Sequence, residues 1–165
     1  MTEDRVEKLD GMEIVTRGDG WVELVAPNQV EFLDKIERLF GRLVDAEFEE
    51  GERDELRYAL NEICQNAWEW GNRKDEGRKI RVSYCLFAGE VVFKIEDEGA
   101  GFDPGKVPNP SENLRGFLVD RAAAGKRPGG FGLHMVKKIM NQVVFNEKGN
   151  IVILSKELKR RRSSS

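Results

Sequence analysis

Val91-Val92-Phe93-Lys94-Ile95-Glu96-Asp97-Glu98-Gly99-Ala100-Gly101-Phe102 is the stretch on which the reading of this fold turns. Side chains alternate across a strand with a period of two, so Val91, Phe93, Ile95 and Asp97 share one face. Asp97 therefore ends an otherwise apolar face, and a carboxylate there needs a hydrogen-bonding partner. An adenine amino group is one donor that suits it. Gly99 and Gly101 let the backbone turn sharply against a ligand. By itself, Asp-x-Gly-x-Gly is also an ordinary glycine-rich turn after a strand.

Working backward, residues 80–86 alternate as a second strand and join the first across Ala88-Gly89, which predicts a hairpin. Before it, residues 52–72 keep helical spacing, with a core stripe of Leu56, Leu60, Ile63, Ala67 and Trp70. On that helix lies Asn61-Glu62-Ile63-Cys64-Gln65-Asn66. Glu62 and Asn66 stand one turn apart on one side, flanking the apolar stripe. A carboxylate and a carboxamide so placed offer hard oxygens to Mg2+, or a base beside a metal ligand. Such a pair also occurs on many solvated helix flanks. Further back, an amphipathic helix spans 28–44, with Val30, Leu33, Ile36, Phe40 and Leu43 in step. A strand over 21–25 is stopped by Pro27, and Arg17-Gly18-Asp19-Gly20 is a turn.

Working forward, residues 99–130 are rich in Gly, Pro and charge, with one short amphipathic piece near 114–124. A loop of that length inside a compact domain reads as a functional lid. It ends in Gly129-Gly130-Phe131-Gly132-Leu133, which opens a helix over 132–141. Glycines entering a helix N-terminus expose backbone N–H groups and a favourable dipole, an arrangement suited to phosphate. Strands over 143–145 and 151–154 close the chain as a second hairpin. The predicted fold is an α/β two-layer sandwich, with a mixed, largely antiparallel sheet and its helices on one face.

Composition bounds the rest. The 165 residues carry 27 Lys+Arg against 30 Asp+Glu, a formal net charge of -3, which argues against nucleic acid as a direct partner. Cys64 and Cys85 have no metal or redox spacing and read as buried, reduced thiols. No apolar run approaches the roughly 20 residues of a membrane span, and residues 1–11 are too polar for a leader, so the expected location is cytoplasmic. The expected division is a polar extension over 1–20, one domain over 21–156, and a basic, serine-ended tail over 157–165. Competing nucleotide motifs fail. Across residues 100–107, Ala100 and Val107 stand where a phosphate-binding Gly-x-x-x-x-Gly-Lys-Ser/Thr loop needs Gly and Ser/Thr.

Each block is ambiguous alone, but the three occur in order, each on the element its chemistry demands. Together they resemble the ATPase domain shared by histidine kinases, gyrase, MutL and the anti-sigma-factor serine kinases, the Bergerat ATP-binding fold. The resemblance covers about residues 21–156. It implies Asn66 as ligand to Mg2+, Asp97 on the adenine amino group, and Gly99, Gly101, Gly129, Gly130 and Gly132 around the phosphates of ATP. The only histidine is His134, read as a surface residue, so a separate helical segment with a phospho-acceptor histidine is not expected. The chain most resembles the anti-sigma-factor serine/threonine-protein kinases, as does Phe145-Asn146-Glu147-Lys148-Gly149-Asn150.

That resemblance implies Glu62 as catalytic base toward a serine or threonine of a small anti-sigma-factor antagonist. A sigma factor is the other partner, and a homodimer is expected of the family. Lid cations Arg115, Arg121, Lys126 and Arg127 are candidates to close on the phosphates. The other class of function is a non-catalytic ATP-binding regulatory module that sequesters a protein partner. The sequence departs from the family at Trp70, where His is frequent, at Asn141, where Asp is frequent, and in its longer lid over 103–128.

Overall fold

A computed structural model describes residues 3–87, 89–101 and 131–157. Seven strands form one sheet in the order β1-β2-β3-β4-β5-β7-β6. They are β1 (Arg5–Leu9), β2 (Met12–Thr16), β3 (Val22–Pro27), β4 (Lys79–Phe87), β5 (Glu90–Asp97), β6 (Gln142–Phe145) and β7 (Ile151–Glu157). Every ladder among the described residues is antiparallel. The largely antiparallel sheet read from the sequence is present, and its ladders show no parallel pair.

The helices are α1 (Val30–Glu47), α2 (Glu50–Asn66) and α3 (Phe131–Ile139). Both long crossings run through them: β3 reaches β4 by way of α1 and α2, and β5 reaches β6 by way of α3. One face of each central strand meets these helices. Val82, Phe93, Ile95, Val152 and Leu154 from the sheet share a single buried cluster with Leu33, Ile36, Phe40, Leu56, Leu60, Ile63 and Val136 from the helices. Phe40 of α1 packs edge-on to Phe93 of β5, with centroids 5.8 Å apart, and Phe93 lies 5.5 Å from Tyr84 of β4. Such aromatic contacts tie the two layers together beyond area burial alone. Val30, the first apolar position expected on α1, is instead largely exposed.

Two features differ from the sequence reading. The first is the amino-terminal stretch, where β1 and β2 form a hairpin on the sheet through Asp10-Gly11. Both turn residues have positive φ, 50° and 82°, the backbone demanded by a two-residue hairpin turn. All five residues of β1 are exposed, so no alternation of apolar side chains advertises the strand.

The second is the end of α2. At Ala67–Gly71 the helix widens into a π turn, closed by the Asn72 N–H on the carbonyl of Ala67 at 2.7 Å. The extra residue shifts the helical phase. Trp68 packs against the core, and Trp70, expected on the core stripe, is only partly buried. π turns of this kind recur at functional sites.

Candidate functional site

Asp97 ends β5 between β4 and β7, paired with Ile80 on one side. On the other side its N–H donates to the carbonyl of Asn150 at 3.0 Å. Asp97 is 8% exposed, on the buried face of β5 that its parity with Val91, Phe93 and Ile95 predicts. Oδ1 accepts the N–H of Gly99 at 2.8 Å. Burial pushes the carboxyl above the usual aspartate range. The Gly99 N–H and the charges of Arg78 and Lys148 pull against that shift, and Glu96 adds to it.

The π turn delivers Gly71 to this carboxylate. A Cβ on Gly71 would lie 2.3 Å from Asp97 Oδ2, and a Cβ on Gly99 would lie 1.8 Å from the carbonyl oxygen of Gly71. Both distances are far inside van der Waals contact, so only glycines permit this approach. Gly101, at φ +84°, sits against the carbonyl of Lys148 in the β6–β7 turn, 1.7 Å from where its Cβ would be. Asn146 Oδ1 accepts the Ile151 N–H at 3.0 Å, Asn146 Nδ2 donates to Asn150 Oδ1 at 2.7 Å, and Asn150 Nδ2 donates to the Asp97 carbonyl at 3.3 Å. The first glycine turn is thus held by backbone from the end of α2 and from the β6–β7 turn.

Glu62 and Asn66 lie on the last turns of α2, both half-buried. Gly132, in the first turn of α3, packs directly on Glu62, with its Cβ position 1.9 Å from Glu62 Oε2. The structure thus brings Glu62 to Gly132, and Asp97 to Gly99 and Gly71. Gly129 and Gly130, Phe102, and the lid with Arg115, Arg121, Lys126 and Arg127 lie outside the described residues, as does the tail from residue 158. His134 is half-buried rather than fully solvated. Asn141 Oδ1 accepts the N–H of Glu157 at 2.8 Å, so it ties the start of β6 to the end of β7.

Sequence reasoning missed Gly71, Asn72 and Asn28 as parts of the site, and read Lys148 and Asn150 only within the stretch that resembles the anti-sigma branch. Gly71-Asn72 carries a local signal only for a helix C-terminus, and Asn28 only for a helix start. Neither reports a contact across the fold.

The chain belongs to the histidine kinase-like ATPase domain family, whose pattern matches residues 26–156. Within that class it is similar to the serine-protein kinase RsbW of Bacillus subtilis (strain 168), 24% identical over 140 residues, covering 84% of this chain and 86% of that protein. It is 23% identical over 148 residues to the serine-protein kinase RsbW of Bacillus licheniformis, covering 88% and 91%. The namesake from Oceanobacillus iheyensis is 23% identical over 101 residues, covering 61% and 62%. Among the described residues, no helix is long and apolar enough to cross a membrane.

Proposed function

We propose that the chain is an ATP-dependent anti-sigma regulatory factor that binds Mg-ATP and phosphorylates a serine or threonine of a small antagonist protein in a partner-switching pathway. The observation that carries this reading is the contact of Glu62 with Gly132. It supports the reading because a helix N-terminus favours phosphate and a carboxylate next to it suits a general base.

The residues present fit ATP. Asp97 has one oxygen committed to the Gly99 N–H, and its other oxygen faces the Gly71 cradle that a Cβ would fill. In the proposed assignment Asp97 accepts from the adenine amino group, while Gly99, Gly101, Gly129, Gly130 and Gly132 surround the phosphates. Asn66 offers its carboxamide oxygen to Mg2+, a hard ion that keeps few protein ligands when phosphates are present. When bound, Mg-ATP supplies a phosphoryl group whose charge the metal partly neutralises. Glu62 orients the acceptor hydroxyl and takes its proton. The proposed partners are a sigma factor and the antagonist, the proposed form is a cytoplasmic homodimer, and neither nucleic acid nor membrane is a direct partner.

The test incubates the protein with γ-labelled ATP, Mg2+ and candidate antagonists, with Glu62→Ala alongside. Transfer that falls by about a hundredfold or more in the variant, the range for loss of a general base, with ATP binding retained, supports the kinase. Binding without transfer in the wild type replaces it with a non-catalytic ATP-binding module that sequesters a partner.

A further inference from the structure

Asn72 is wholly buried, and its side chain spends its hydrogen bonds on three separate parts of the frame around Asp97. Oδ1 accepts the N–H of Glu98 at 2.8 Å. Nδ2 donates to Oδ1 of Asn28 and to the carbonyl of Lys79, each at 3.0 Å. Asn28 is also wholly buried, and it passes the link on by donating to the carbonyl of Asp75 at 3.0 Å. Its own N–H donates to the carbonyl of Arg78 at 3.1 Å. The Lys79 N–H in turn donates to the Glu98 carboxylate.

A buried carboxamide costs stability unless its groups are paired, so two in contact are a demanding way to fill interior space. Their placement gives them a task. Glu98 stands between Asp97 and Gly99, so holding its N–H fixes the backbone path from the carboxylate into the glycine turn. Asn72 also directly follows Gly71, whose missing side chain leaves the space the Asp97 carboxylate occupies. One residue therefore sets both walls of the cradle, the first by chain adjacency and the second by hydrogen bond.

We infer that Asn72, braced by Asn28, is a positioning residue for Asp97, and that this pair sets the preference for a 6-aminopurine over a 6-oxopurine nucleotide. The inference rests on the nucleotide reading proposed above. Asn72 acts through the orientation of Asp97, so its loss should be felt at the purine edge and not at the phosphates.

The experiment titrates wild type, Asn72→Ala and Asn28→Ser with ATP and with inosine triphosphate, each with Mg2+, by calorimetry. Amide hydrogen exchange at Glu98 and Gly99 is followed in the nucleotide-free proteins. Asn28→Ser removes only the outer brace, which keeps the test open if Asn72→Ala fails to fold.

The expected result is a loss of ATP affinity of about tenfold, the scale for leaving buried partners unsatisfied. Affinity for inosine triphosphate should stay unchanged, and exchange at Glu98 and Gly99 should be faster. Equal weakening toward both nucleotides, or an unchanged ratio, overturns the positioning role while leaving the site reading intact. A wild type that does not distinguish the two nucleotides overturns both.

Discussion

Gly132 and Glu62 share a single volume: Oε2 of Glu62 lies 1.9 Å from the point a Cβ on Gly132 would occupy. A methyl group there must displace the carboxylate, since the helix backbone is the stiffer of the two. Gly132→Ala is therefore expected to keep the fold, while phosphoryl transfer at saturating Mg-ATP falls by about tenfold or more, as misplacement of a reacting group costs rate steeply. Parallel binding titrations and transfer assays check this. Unchanged transfer would separate the Glu62 position from catalysis.

Gly99 is different because its obstruction is backbone. A Cβ on it would meet the Gly71 carbonyl oxygen at 1.8 Å, which no side-chain rotation relieves. Gly99→Ala should destabilise the domain by about 1–3 kcal/mol, the usual cost of overpacking. Gly51, in the first turn of α2, meets nothing within 4 Å. Gly51→Ala should instead stabilise by about 0.5–1 kcal/mol through helix propensity. Paired thermal melts of the two variants read both signs at once.

Asp97 links stability to pH in a definite direction. Burial raises its carboxyl above the unfolded value. A group so raised contributes stability that is full below its unfolded pKa and is lost as pH rises through its folded pKa. Asp97→Asn removes that dependence. The variant should melt above wild type at neutral pH, the two should converge as the pH is lowered into acid, and the variant should bind Mg-ATP more weakly. A variant less stable than wild type at neutral pH would mean that contacts of the charged form outweigh its burial.

Cys64 has its thiol pushed up to about 12 by burial. A protonated, enclosed thiol is a poor nucleophile, so thiol reagents should spare Cys64 in the folded protein and label it in denaturant. Peptide mapping after labelling in both conditions tests this directly.

What the sequence disclosed was what local periodicity encodes. The parity of β5 puts Asp97 on the apolar face of Val91, Phe93 and Ile95, and helical periodicity puts Glu62 and Asn66 on α2. The hairpin of β1 and β2 escaped because an all-exposed strand has no burial pattern to alternate, and only Asp10-Gly11 marked it. Trp70 was misplaced because an angular step suited to an α-helix does not survive a π turn. Asn28 and Asn72 escaped for another reason. Their hydrogen bond closes a span of 44 residues, and nothing in either neighbourhood encodes the other.

The π turn at Ala67–Gly71 also gives the long helical segment two angular origins. Glu62 and Asn66 are indexed from the first, and Gly71 and Asn72 from the second. A substitution that restored α-helical geometry across 67–71 without removing a residue would leave every named motif intact, yet turn Gly71 and Asn72 by about 100° relative to Asp97 and Glu98. An alignment would score such a chain as complete, although its phosphate half and its purine half would no longer be in phase.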